Sequence, residues 1–133
     1  MYLGFFRQTS GATIKNLTVE GNIGTFDGTN YSIGSYAGGL IGAANDTTIE
    51  NCKFKGNVYA NNMAGGFIAR TDTAIEDNNI KNCAFEGEVK SNTGWAAGFA
   101  HINANIENSY FIGDVTGKTE VSAFGSYSGV KNS

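Results

Sequence analysis

Few side chains in this sequence are of the types that catalysis needs. Paired carboxylates could do the acid–base work of carbohydrate cleavage. The candidate aspartates are Asp27, Asp46, Asp72, Asp77 and Asp114. Because aspartate also stabilises turns by bonding to nearby backbone, this structural role explains their positions more simply. We predict no catalytic residues, and a polysaccharide-cleaving site in which Asp46 lies near Asp72 remains the alternative.

The remaining candidates are two cysteines and one histidine. No nucleophile motif surrounds His101, and a single histidine does not make a typical metal cluster. Cys52 and Cys83 hold the same place in two repeats, and adjacent strands would bring them within the Cα range of a disulfide. Parallel strands, however, point both Cβ atoms the same way, which opposes the torsion of the bond. We therefore expect buried free thiols, and no metal or cofactor.

A ten-residue block recurs through the chain. Each copy reads Ile-x-Asn, an alternating apolar run, Gly, one polar residue and then Ile or Val. The copies are residues 14–23, 49–58, 80–89 and 106–115, with a fifth begun at Val130. A constant block between segments of varying length is typical of stacked strands joined by variable loops. We predict one repeat domain over residues 1–133, a segment of a longer array that associates end to end, with repeats 3–35, 36–63, 64–95, 96–121 and a partial 122–133.

The block alternates with the period of two that indicates a half-buried strand. One inward column contains Val19, Phe54, Phe85 and Phe111. Helix is disfavoured because glycines recur in every repeat. The sequence predicts an all-β fold, a single-stranded parallel β-solenoid (β-helix) of about four to five coils. A two-layer sandwich is the rival, but it would not require the same residue type at the same place in every repeat.

Two polar columns accompany the strands. The residue after each starting Ile alternates in charge, which favours a ladder of opposite-charge pairs over a docking strip. The following residue is always Asn, and stacked amides at a bend can satisfy turn backbone groups. This structural ladder is Asn16, Asn51, Asn82 and Asn108.

A pair of adjacent apolar columns precedes each block. Leu40 and Ile41, or Phe67 and Ile68, cannot both face inward from a straight strand. Because glycines come just before them, we predict a bend that buries both columns. An outward aromatic stripe suited to sugar rings is the alternative.

The combination of Ala37-Gly38-Gly39-Leu40-Ile41-Gly42 with Ile49-Glu50-Asn51 and Gly56-Asn57-Val58 resembles the GLUG repeat of bacterial cell-surface and secreted proteins. That family includes adhesin-like proteins and parts of IgA-peptidase-like proteins. The resemblance covers nearly the whole chain and implies an extracellular or cell-surface location. It implies no activity, because a peptidase would lie in a separate domain.

These features predict a non-catalytic structural or adhesive module. A carbohydrate-binding or polysaccharide-cleaving β-helix is the alternative, and ice binding ranks lower because the outward column containing Thr18 is irregular. A net charge of −3 without a basic stripe argues against nucleic acid, and no apolar run is long enough to span a membrane. The expected partners are neighbouring repeats of the same longer chain, and a glycan or a host surface protein. Recognition is expected on the variable loops, at Phe26, Asp27, Tyr31, Tyr36, Arg70 and Asp72.

Overall fold

The computed structural model describes residues 1–31, 35–71, 78–100, 104–125 and 129–133. This part of the chain forms β-strands and no helix, and therefore no helix long and apolar enough to cross a membrane. The first nine strands are β1 (Tyr2–Leu3), β2 (Phe6–Ser10), β3 (Thr13–Lys15), β4 (Thr18–Glu20), β5 (Tyr36–Gly38), β6 (Ile41–Asn45), β7 (Thr48–Glu50), β8 (Lys53–Lys55) and β9 (Val58–Ala60). The others are β10 (Met63–Gly65), β11 (Ile68–Thr71), β12 (Asn78–Lys81), β13 (Ala84–Ser91), β14 (Ala96–Ala97), β15 (Ala104–Glu107), β16 (Tyr110–Thr116), β17 (Val121–Ser122) and β18 (Gly129–Lys131).

The named strands pair in parallel and build four sheets. Sheet 1 has the order β1-β5-β10-β14-β17, and sheet 2 has β2-β6-β11. Sheet 3 has the order β3-β7-β12-β15-β18, and sheet 4 has β4-β8-β13-β16, with β9 also pairing with β13. The chain visits the sheets in turn, so each passage adds one layer: β1–β4, β5–β9, β10–β13, β14–β16 and β17–β18. The prediction of an all-β fold of parallel strands is confirmed.

Register between layers follows the sequence repeat. Phe85 pairs with Phe54 in the layer before it and with Phe111 in the layer after it. The ring centroids are 5.4 and 5.2 Å apart, and each interplanar angle is 8°. Because Phe54 and Phe85 are fully buried, the predicted inward aromatic column is confirmed. Stacked apolar columns of this kind form the core between the sheets.

A bend between sheets 1 and 2 buries two successive apolar side chains. Leu40 and Ile41 are both fully buried, as are Phe67 and Ile68 in the next layer. The predicted bend is thus confirmed for these layers, and the alternative of an outward aromatic stripe at this position is wrong. In the first layer Phe5 is 56% exposed, because the part of the chain that the structure describes places no layer over it.

The bend also requires a close approach of backbone to backbone. A Cβ at Gly66 would overlap the carbonyl oxygen of Gly98, and one at Gly98 would overlap that of Ala123. The layers can stack at the strand spacing only because these positions lack a side chain. The glycines of this column are therefore set by interlayer packing.

Candidate functional site: an aromatic loop and two polar ladders

The loop over residues 24–31 folds back onto sheet 4. It leaves the sheet after Ile23, whose N–H donates to the Asn57 carbonyl at 2.9 Å. Phe26 then forms an antiparallel bridge with Tyr31. Asp27 Oδ1 accepts hydrogen bonds from the N–H groups of Thr29 at 2.9 Å and Asn30 at 2.7 Å. The loop is therefore a tight turn closed by a carboxylate, as expected for aspartate in this context.

These backbone hydrogen bonds also set the charge of the turn. Donation from Asn30, and then from Thr29, lowers the pKa of Asp27, because both bonds favour the ionised carboxylate. A carboxylate committed to its own turn is a poor acid or base for an external substrate. Asp27 is better described as the residue that shapes the loop.

Phe26 is the residue that fixes the loop to the sheet. Its ring centroid is 4.5 Å from that of Tyr31 and 5.8 Å from that of Tyr59. The Lys90 Nζ lies over the same ring, 4.5 Å from its centroid, in a cation–π contact. Tyr59 and Lys90 occupy matching positions on β9 and β13. The loop thus covers the outward side of two adjacent layers.

Glu88 completes what we call the Phe26 cluster, which consists of Phe26, Tyr31, Tyr59, Glu88 and Lys90. The Tyr59 hydroxyl donates to Glu88 Oε2 at 3.1 Å, and Lys90 Nζ is 3.4 Å from Glu88 Oε1. Burial, followed by the interaction with Glu88, raises the pKa of Tyr59. The phenol therefore stays protonated at neutral pH and acts as a donor, and the half-buried cluster presents an aromatic surface edged by one carboxylate and one ammonium.

Two other predicted recognition residues meet elsewhere, on sheets 1 and 2. The Arg70 guanidinium lies over the Tyr36 ring, 5.4 Å from its centroid. The ring of Tyr36 also stacks on that of Tyr2, with centroids 5.3 Å apart and an interplanar angle of 29°. The Tyr36 ring is therefore in contact with two neighbouring side chains and is half buried.

Sequence reasoning placed Phe26, Asp27 and Tyr31 together, and it missed their partners on the sheet. Tyr59 and Lys90 each follow the last aliphatic residue of a repeat block. Extending the repeat columns by one residue would have found them. Asp72, Asp77 and His101 lie outside the described residues, so the expected proximity of Asp46 and Asp72 is not tested.

The asparagine column lies at the turn between sheets 3 and 4. Asn16, Asn51, Asn82 and Asn108 have φ angles of 55, 53, 52 and 49°, in the left-handed region that asparagine tolerates. The Asn51 side-chain amide donates to Asn16 Oδ1 at 3.2 Å. Asparagine is therefore favoured in this column mainly because it tolerates the left-handed turn, and the interlayer hydrogen bond is an additional contribution.

The next column, which contains both cysteines, is a second polar ladder. Ser109 Oγ donates to the Glu107 carbonyl at 2.9 Å and accepts the Cys83 N–H at 3.1 Å. Cys83 Sγ makes the equivalent contact with the Lys81 carbonyl at 3.1 Å, and Cys52 Sγ with that of Glu50 at 3.3 Å. The cysteines thus take the place of serine at a turn.

Both thiols are buried and free, as predicted. The neighbouring Cys52 side chain, followed by burial, raises the pKa of the Cys83 thiol. The described residues contain no group of three or more metal-ligating side chains.

The charge ladder on sheet 3 forms ion pairs between adjacent layers. Lys15 pairs with Glu50 at 3.4 Å, and Lys81 pairs with Glu107 at 3.9 Å. On sheet 4, Glu86 is in register with Lys55 but forms its 2.7 Å ion pair with Lys53. These pairs are partly exposed, so they contribute to register more than to stability.

Comparison with known proteins gives one finding. The sequence profile of the GLUG motif matches residues 33–59, and this motif is found in bacterial repeat proteins. The matched segment contains strands β5 to β8 and ends in β9 at Tyr59 of the Phe26 cluster. Neither the curated proteins nor the solved structures give a significant match.

Proposed function

We propose that this chain is a non-catalytic β-solenoid module of a secreted or surface-attached bacterial protein, and that it presents the 24–31 loop for adhesion. The GLUG motif supports the assignment to a repeat module. The regular passage of the chain through four parallel sheets supports the solenoid, with one layer corresponding to one coil. Its surroundings would be outside the cell or at its surface, next to further repeats of the same longer protein.

The observation that carries the adhesive role is the anchoring of the loop. Phe26 rests on Tyr59 and Lys90 of successive coils, and Asp27 closes the turn through two backbone hydrogen bonds. A loop held in one conformation loses little conformational entropy when it binds a partner. A module that only adds length would not require these contacts.

The ligand of this loop would be a glycan or a host surface protein. Aromatic side chains beside one carboxylate and one ammonium suit both, since rings contribute contact area and the charges contribute orientation. We expect no turnover of a bound polysaccharide, because Asp27 is engaged in its own turn and the Phe26 cluster contains a single carboxylate.

Binding of the purified chain to host cells and to a glycan array tests this proposal. Phe26→Ala should reduce binding at least tenfold, since the ring holds the loop on the sheet. Tyr110→Ala is the matched control, because Tyr110 is an exposed aromatic residue on another part of sheet 4. If Phe26→Ala binds as well as Tyr110→Ala, the loop is not the binding site, and the module would be a spacer that only adds length. Hydrolysis or elimination of any polysaccharide would refute the non-catalytic assignment.

A further inference from the structure

The two cysteines of the sequence lie next to each other in the fold. Lys53 is in register with Ala84, and the Ala84 N–H donates to the Cys52 carbonyl at 3.0 Å. Cys52 and Cys83 are therefore neighbours in adjacent layers, with their backbones one strand spacing apart, about 4.8 Å. Both residues are only 2% exposed.

The two sulfur atoms have the same surroundings. Besides the carbonyl two residues before it, each Sγ contacts the carbonyl of an isoleucine in the preceding layer. The distance is 3.6 Å from Cys52 to Ile14 and 3.7 Å from Cys83 to Ile49. Because these contacts repeat, the two side chains point the same way, and the sulfurs lie side by side, no more than about one strand spacing apart.

The turn itself does not require sulfur. In the next layer the Ser109 hydroxyl donates to the carbonyl two residues before it and accepts the N–H of Cys83. Serine therefore meets the hydrogen-bonding needs of this column. Two successive thiols in place of serine add a property that the fold does not need, namely a pair of soft ligand atoms.

The surroundings of the thiols give access to an ion and support ionised sulfur. Cys52 and Cys83 line an open depression of about 400 Å³, together with Asn51, Asn82 and Asn108 of the asparagine column. By the register that directs the Cys83 N–H to Ser109 Oγ, the Cys52 N–H points at Cys83 Sγ. The neighbouring Cys52 side chain and burial raise the pKa of the Cys83 thiol, and this N–H opposes them because it favours the thiolate.

We propose that Cys52 and Cys83 bind one Cu(I) ion in two-coordinate geometry, with the sulfurs on opposite sides of the ion along the axis of the stack. Thiolate ligands select Cu(I) among the first-row metals. Two collinear metal–thiolate bonds of about 2.3 Å, the length found with zinc, span about 4.6 Å, which is close to the spacing of the layers. Binding releases the thiol protons to solvent and changes the oxidation state of neither sulfur nor copper.

The same geometry disfavours zinc. Zinc in structural sites takes four ligands, and the residues that the structure describes contain no group of three or more metal-ligating side chains. The expectation of no metal from the sequence applies to ions that require such a group. Cu(I) requires only the two thiolates.

Serine substitutions give variants that keep the fold, because Ser109 already occupies this column. Cys52→Ser and Cys83→Ser each leave one thiol, and the double variant leaves none. If the ion needs both sulfurs, each single variant should lose as much affinity as the double variant. Circular dichroism and the melting temperature, expected to match those of the wild type, show whether the variants fold.

Anaerobic titration of the intact chain with Cu(I), in competition with a coloured Cu(I) chelator, measures the affinity, and X-ray absorption at the copper edge counts the sulfur neighbours. We expect one ion per chain with two sulfur neighbours. Each serine variant should bind roughly a hundredfold more weakly or worse, since loss of even an outer-shell partner costs about 10–100-fold in metal affinity.

Wild-type affinity in either single variant, or a copper site without two sulfur neighbours in the wild type, would overturn the proposal. Displacement of Cu(I) by equimolar Zn(II) would also overturn it. So would dimerisation on addition of Cu(I), because the ion would then bridge two chains instead of two layers.

Discussion

Truncation of Phe85 tests the assignment of inward and outward faces most directly. The ring is fully buried between Phe54 and Phe111, at centroid distances of 5.4 and 5.2 Å. Phe85→Ala removes these contacts and leaves a cavity that the backbone cannot close, because interlayer hydrogen bonds hold the spacing. Truncations of this kind cost about 3–5 kcal/mol of unfolding free energy.

A surface variant in the same layer gives the comparison. Lys81 pairs with Glu107 at 3.9 Å, and both side chains are well exposed. Lys81→Ala should cost at most about 1 kcal/mol. Urea unfolding followed by circular dichroism, with the fluorescence of Trp95 as a second probe, measures both variants. Similar losses in the two variants would mean that the faces are wrongly assigned.

Three further outcomes follow from the turn ladders and the ion pair on sheet 4. Ser109→Ala should lower the unfolding free energy by about 1–3 kcal/mol in thermal or urea unfolding, because it leaves the Cys83 N–H without its acceptor. Ser109→Cys should lower it less. Equal losses of unfolding free energy in the two variants would contradict the role of this column as a hydrogen-bonded ladder. Asn51→Ala should destabilise by about 1–2 kcal/mol, because φ is 53° there, whereas Asn51→Gly should cost less, and the reverse order would exclude backbone strain as the cause. The pairing of Glu86 with Lys53 lowers the pKa of the carboxyl and raises that of the ammonium. The stabilisation is therefore complete above the ordinary glutamate pKa of 4.5 and below the ordinary lysine pKa of 10.5. It is lost as pH falls through the lowered pKa of Glu86 or rises through the raised pKa of Lys53. The difference in unfolding free energy between wild type and Glu86→Gln should therefore shrink at both extremes of pH. A difference that does not change with pH would exclude the ion pair as its source.

The repeat made the strands and the core predictable. A fixed block with period-two alternation places Phe54, Phe85 and Phe111 in one inward column, independently of loop length. This follows because stacking in register is the arrangement that aligns identical residues. The bend at Leu40 and Ile41 was predictable for a similar reason. Two adjacent apolar residues after glycines cannot both be buried by a straight strand.

The candidate loop was only half predictable. Its variable length and its aromatic residues pointed to Phe26, Asp27 and Tyr31. The sequence contains no local signal that Phe26 would rest on Lys90, which is 64 positions away. That contact depends on how far the loop folds back over the sheet.

The repeated features of this protein could be read from the sequence alone: strand register, inward and outward faces, and a bend at each Asn of the block, because identical residues stack on one another. Contacts between the layers became visible only in the folded protein. It showed that Glu86 pairs with Lys53 although it is in register with Lys55, and that cysteine replaces serine in a hydrogen-bonded turn. It also showed that Ala123 carries a Cβ where the preceding layers leave room for a carbonyl. Such features depend on how side chains and carbonyl groups of adjacent layers meet, which residue types and their spacing do not specify.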